Sequence, residues 1–410
     1  MTQTLFIVDL NRVVLKSSSL KDASVVCLSS PKIEVEGDEK GDRICFKARL
    51  SDNILNHVLV LAGISYTYGF PLEFAKGVSF DKLAKLNASG LKHFPWFLVN
   101  LVLDSEIEGL EGLLDALSEI EEFIHEGSEP SKIRLALVEM KKQNEKVWEA
   151  YPKIGSWEAF LDELKSKLDR NAFRLLRDSI RECYDTFYAN YWEKQEKRLS
   201  NLSRRLKKTT DILQPLKKLE DITNAKFPYS ILEVFLIDIF RRGGGIYVGS
   251  TNRITSTSGE CVPLYIHTDI GHEVGHMLMR GWDTDLIEEI EELATKLKTE
   301  NRFILARLIE EHIAALIQLK LDRYYYGDRR ITHSYMENEI FRMAEEIWDK
   351  SKQELGSSWS LTNFMRELLD ELKESEKAIK ELTGLMNEWC GLKNNQAYYI
   401  IGANCFTRIV

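Results

Sequence analysis

Residues 269–278 read DIGHEVGHML, and within them His272-Glu273-Val274-Gly275-His276 forms the pattern H-E-x-x-H. On an α-helix, residues four apart lie on one face, one turn apart. His272 and His276 can therefore aim their imidazoles at one ion. Glu273, about 100° further round the helix axis, stands beside that ion and not on it. Hydrolytic zinc needs this arrangement: two neutral nitrogen ligands, an open position for water, and a carboxylate next to the water to take its proton. Thr268 or Asp269 can cap the start of such a helix, and Gly281 can stop it after Arg280. Gly275 costs about 1 kcal/mol against Ala in a helix interior. That cost makes sense where another chain segment or a substrate passes close by.

The HEVGH helix, preceded by an extended segment, resembles the zincin metallopeptidases, and the matching residues are His272, Glu273 and His276. The resemblance implies Zn²⁺ as cofactor and Glu273 as general base. Branches of that group differ in the third ligand. The metzincin continuation places Gly and His three and six residues after the second histidine. Here those positions are Met279 and Trp282, which excludes that branch. The aspzincin branch uses an Asp shortly afterwards, and Asp283 and Asp285 are in range. The gluzincin branch takes a Glu from a later helix.

ARLIEEHIAALIQLKL (306–321) is the leading source of that Glu. Leu305, Leu308, Ile309, Ile313, Leu316, Ile317 and Leu319 make the helix apolar round most of its circumference, as expected of a core helix. A carboxylate in such a core must be paired or bound to metal. Glu310, Glu311 and His312 interrupt the apolar run, and 100° steps put Glu311 on the inward seam between Ile304, Leu308 and Ala315. Small Ala314 and Ala315 would let this helix approach the H-E-x-x-H helix closely. Glu311-His312-Ile313-Ala314 is also similar to the E-x-I-A segment of the neprilysin family, whose Glu is the third zinc ligand. In that family an Asp one turn later steadies a zinc-binding histidine. Ala315 stands there in this chain, so that support must come from elsewhere, and Glu310 is a candidate. Alternative third ligands are Glu310 itself, an acidic residue in 285–292, Glu300 and Glu337.

A hydrolytic zinc site also wants a donor for the developing oxyanion. Tyr399 is the first candidate, because Tyr399-Ile400-Ile401-Gly402 resembles a Y-x-x-G stretch near the C-terminus of several helical zincin families. His333 and the Tyr324-Tyr325-Tyr326 run are others, and His267 is placed to support the site. IYVGSTNRI (246–254) reads as a strand that could line a cleft and pair with extended substrate.

Outward from the motif, the chain has 410 residues and a net charge of −9. The acidic balance argues against nucleic acid as a partner. No apolar run reaches the roughly 18 residues that span a bilayer. The N-terminus lacks the basic n-region of a signal peptide. Six cysteines without short regular spacing fit reduced thiols in a cytoplasmic protein.

The pattern predicts an α+β fold, predominantly helical, in three parts. TLFIVDL, SVVCL, KIEVEG, RICFKARL and HVLVLAG read as short strands, giving a β-rich N-terminal domain over 1–104. Apolar residues three and four apart make 105–225 helical. Within it 194–218 is markedly basic and reads as a solvated helix face with Leu199, Leu202 and Leu206 turned inward. A zincin-like catalytic domain would occupy 226–410. YSILEVFLIDIFRR (229–242) reads as a buried helix stopped by Gly243-Gly244-Gly245. Long helical runs are expected at 284–322, 335–353 and 361–390. The expected activity is zinc-dependent hydrolysis of a peptide or protein substrate. The competing reading is a zincin-like scaffold or interaction protein whose metal is structural or absent.

Overall fold

A computed structural model describes residues 6–9, 12–15, 42–64, 77–150, 156–239, 249–257, 262–326 and 338–393. The chain is predominantly helical, with one small three-stranded parallel sheet. β1 (Phe6–Asp9) and β2 (Arg12–Leu15) pair antiparallel. β3 (Ile44–Lys47) then joins β4 (Leu232–Ile237) and β5 (Arg253–Thr257) in the order β3-β4-β5. Phe46 aligns with Val234, and Val234 with Ile254. RICFKARL, from early in the chain, is thus paired with a strand nearly 190 residues later.

The helices follow in chain order: α1 (Leu50–Leu61), α2 (Phe80–Ala88), α3 (Pro95–Asp104), α4 (Gly109–Glu126), α5 (Arg134–Ala150), α6 (Trp157–Lys167), α7 (Ala172–Cys183), α8 (Ala189–Leu213) and α9 (Pro215–Thr223). After β5 come α10 (Val262–Leu278), α11 (Trp282–Asp285), α12 (Ile287–Lys296), α13 (Arg302–Tyr326), α14 (Glu339–Leu355), α15 (Leu361–Glu374) and α16 (Glu376–Lys393). The starts obey capping chemistry. Ser156, Asn338 and Ser360 accept backbone N–H bonds three residues on, at the heads of α6, α14 and α15. α3 and α9 each begin with Pro at the first turn, where its missing N–H costs nothing. In α8 the three expected leucines, Leu199, Leu202 and Leu206, are buried, while Arg204, Arg205 and Lys208 face solvent.

The helical run expected over 284–322 is split into α11, α12 and α13, and two expectations of element type are overturned. HVLVLAG (57–63) is not a strand: its residues through Leu61 belong to α1, in which Ser51 to Val60 are all buried. YSILEVFLIDIFRR holds no helix among its described residues but the strand β4, with all six positions buried. Both errors share a cause. An element covered on every side shows neither period 2 nor period 3.6, so a short apolar run cannot reveal its type. Polar atoms lock the two elements together. Asn53 of α1 donates from Nδ2 to Leu236 O at 3.0 Å and accepts from Asp238 N at 2.7 Å. SVVCL and KIEVEG lie outside the described residues. Of the expected strand 246–254, Arg253 and Ile254 fall within β5.

One continuous core runs from Ile44 to Met386 and takes in residues of all three expected segments. Its centre is α13, where every residue from Leu308 to Leu319 is buried. No helix among the described residues is long and apolar enough to cross a membrane.

Candidate metal centre

α10 starts at Val262, so Thr268 and Asp269 lie inside the helix and do not cap it. It ends at Leu278, and Gly281 follows in the left-handed region (φ 85°), where a residue without Cβ turns the chain into α11. Arg280 fastens this end. Its guanidinium donates to Tyr229 Oη at 2.7 Å, Thr251 O at 3.1 Å and Gly249 O at 2.5 Å. The same loop is held from below by Asp104, which accepts from Ser250 N and Thr251 Oγ1. The helix that carries both histidines is therefore tied to the segment entering β5.

α10 lies against α13 along a seam of small residues. A Cβ built on Gly275 would stand 3.4 Å from Ala314 Cα, and one on Gly271 would stand 3.3 Å from Gln318 Cα. The close approach anticipated for Gly275 is thus made by α13. This proximity brings Glu311 to the histidines. His272 Nε2 and His276 Nε2 are 3.3 Å apart. Glu311 Oε2 is 3.4 Å from the first and Glu311 Oε1 is 3.7 Å from the second. Among the described residues, His272, His276 and Glu311 form the one group of three histidine, cysteine or acidic side chains placed to hold a metal ion. Glu273 is buried, at 2% exposure.

The other candidates fall elsewhere. Glu310 reaches the far edge of the His276 ring: Nδ1–H donates to Glu310 Oε1 at 2.9 Å. Its carboxylate thus holds the Nδ1 edge of the His276 ring. Asp283 is buried against Arg307 at 3.5 Å, and Asp285 and Glu300 are exposed. His312 Nδ1–H donates to Leu308 O at 2.7 Å, and its Nε2 accepts from Asn338 Nδ2 at 2.6 Å. It ties α13 to the head of α14. Tyr324 is exposed, and Tyr325 Oη donates to Leu213 O at 2.9 Å. Tyr399, His333 and Glu337 lie outside the described residues.

Acidic and basic groups shift one another's titration in the cluster. Burial disfavours the charged form of His276, but Glu311 and Glu310 outweigh it and hold its pKa above the ordinary histidine value. Burial likewise works against ionised Glu310. The Arg307 guanidinium and His276 overcome it and bring that carboxyl down to about 2. Arg307, which pairs with Glu310 at i+3, is a contributor to which the H-E-x-x-H pattern does not point. Its signal was legible: a lone cation one turn before two acids on an apolar helix. Solvent reaches the cluster chiefly at His272. The His272 side chain is 19% exposed, against 2% for His276 and 9% for Glu311.

Comparison of the chain with protein-family models, with curated proteins and with solved structures gives no match. The functional reading rests on the geometry.

Proposed function

We propose that the chain is a zinc metallopeptidase of the zincin type, with a glutamate as third ligand, acting on a peptide or protein substrate. One observation carries this reading: two histidines and a buried glutamate from different helices converge with their donor atoms 3.3 to 3.7 Å apart. Bonds of about 2.0–2.1 Å at tetrahedral angles separate donors by about 3.3–3.4 Å, so the set fits zinc. The donor types fit as well, two imidazoles and one carboxylate. With His276 Nδ1–H given to Glu310, the lone pair of Nε2 would be left for the ion.

His272, His276 and Glu311 would hold the ion. Zinc supplies a Lewis acid that makes a bound water ionise near neutral pH. Glu273, one residue from a ligand, accepts the water's proton on its carboxylate and returns it to the leaving amine nitrogen. Glu310 keeps the His276 ring from turning. Tyr399 is the residue we put forward to donate to the oxygen of the scissile carbonyl.

The test is metal content and hydrolysis of a fluorogenic peptide mixture, for the wild type and Glu273→Gln. The expected result is about one zinc per chain in both, with hydrolysis reduced about 10²–10⁴-fold in the variant. Equal hydrolysis in the two proteins would overturn the peptidase reading. Zinc in both with hydrolysis in neither would leave a structural metal.

A further inference from the structure

The residues around the cluster close a ring of contacts between the two ligand-bearing helices. From His276 on α10, Nδ1–H donates to Glu310 Oε1 on α13 at 2.9 Å. Glu310 Oε2 accepts from Arg307 Nη1, one turn earlier on α13. Arg307 Nη2 lies 3.5 Å from Asp283 Oδ2 on α11, and α11 follows α10 through the Gly281 turn. The guanidinium also stacks over Phe303, 5.1 Å from its ring centroid. The acidic members are almost fully enclosed, with side chains 4% exposed for Glu310 and 2% for Asp283.

We infer that Arg307 and Asp283 are positioning residues for metal binding: they fix the Glu310 carboxylate, which fixes the His276 ring. The inference rests on the proposed metal site and goes beyond it, because neither residue belongs to the set that would hold the ion. The geometry divides the Glu310 oxygens between Arg307 and His276, with the Trp282 side chain a further donor to the carboxylate. Oε2 is engaged by Arg307, so the carboxylate plane cannot rotate, and Oε1 is held toward Nδ1. Carboxylates behind ligating histidines set ring orientation and tautomer, and their loss costs about 10–100-fold in metal affinity. In this chain the supporting carboxylate adjoins the third ligand in sequence. One turn of α13 therefore supplies a ligand, the orienter of another ligand, and the cation that holds the orienter. A plain structural salt bridge would need only Arg307 and Asp283. The third contact, to Glu310, is what links the pair to the site.

The test measures Zn²⁺ affinity by chelator competition and the visible absorption of the Co²⁺-loaded protein. The proteins are the wild type, Arg307→Met, Arg307→Lys, Asp283→Asn and Glu310→Gln. Glu310→Gln is expected to weaken Zn²⁺ by about 10–100-fold and Arg307→Met by about 10-fold, with Arg307→Lys recovering part of the loss. The Co²⁺ bands should shift in Arg307→Met, although that side chain is no ligand. Circular dichroism of the metal-free proteins selects variants that fold. Should Arg307→Met fail to fold, Asp283→Asn and Arg307→Lys carry the comparison. A wild type that binds one ion, loses it with Glu311→Ala, and keeps its affinity and Co²⁺ spectrum in the folded Arg307 and Asp283 variants would overturn the positioning role alone. A wild type that binds neither ion would overturn the metal reading and the inference with it.

Discussion

The seam between α10 and α13 can be probed one methyl at a time. A Cβ added at Gly275 would meet Ala314 Cα at 3.4 Å, Ile317 Cδ1 at 3.5 Å and Ala314 Cβ at 3.6 Å, all ordinary contacts. Alanine gains about 1 kcal/mol over glycine in a helix interior, and each new contact adds about 0.1–0.2 kcal/mol. Gly275→Ala should therefore stabilise the protein by about 1 kcal/mol. For a chain of 410 residues, with an unfolding entropy of roughly 2.1 cal/mol/K per residue, that is about 1 °C in Tm. Gly271→Ala is tighter, with Leu321 Cδ2 at 3.2 Å and Gln318 Cα at 3.3 Å. The leucine tip can yield but the backbone atom cannot without moving α13, so this variant should gain nothing or lose stability. Gly275→Leu adds three more carbons beyond a Cβ already in contact. Overpacking of that kind costs about 1–3 kcal/mol, and the helices must part. Glu311 would then leave the histidines, and Zn²⁺ affinity should fall at least about 10-fold, since one ligand of three is withdrawn. Differential scanning calorimetry of metal-free protein and zinc titration read the two effects separately. A Gly275→Leu protein with unchanged Tm and unchanged affinity would refute the contact geometry. A Gly275→Ala protein weakened by 2 kcal/mol or more would refute the estimate of available space.

The remaining predictions follow from single side chains. Glu311→Ala should lower zinc occupancy measured by plasma mass spectrometry, whereas exposed Asp285→Ala should leave it unchanged; the reverse pattern would move the third ligand. Asn53→Ala removes a donor from Leu236 O and an acceptor from Asp238 N inside the core, and should cost about 2 kcal/mol, with faster amide exchange at the end of β4. Burial pushes the Cys183 thiol up to about 12. The thiolate is therefore scarce in the folded protein at pH 8, and iodoacetamide should label Cys183 only after denaturation, as peptide mass mapping would reveal.

The site was more legible than the scaffold around it. His272 and His276 announce themselves because a helix repeats its face every four residues, and that rule needs no tertiary knowledge. Glu311 could be reached because a carboxylate in an all-apolar helix demands a partner. Glu310 could be guessed as support, but its role depends on which ring edge it meets, and no spacing encodes that. Arg307 shows the same limit: its i+3 partner is local, whereas its reach to Asp283 is a matter of how α11 turns back on α13. In the scaffold, α8 was readable because one side is wet, so its leucines mark a stripe. α1 and β4 were not, because both are dry all round, and burial erases the contrast from which periodicity is read. The pairing of β3 with β4 spans nearly 190 residues and leaves no local trace.

The uneven exposure of the three candidate ligands has a consequence for traffic. His276 and Glu311 are buried, and His272 is the most exposed of the three. Ion, water and peptide would then all approach from the His272 side of the cluster. A peptide seated there would act as a stopper, slowing the escape of the ion beneath it. Chelators and substrates would compete for passage and not for the same bonds.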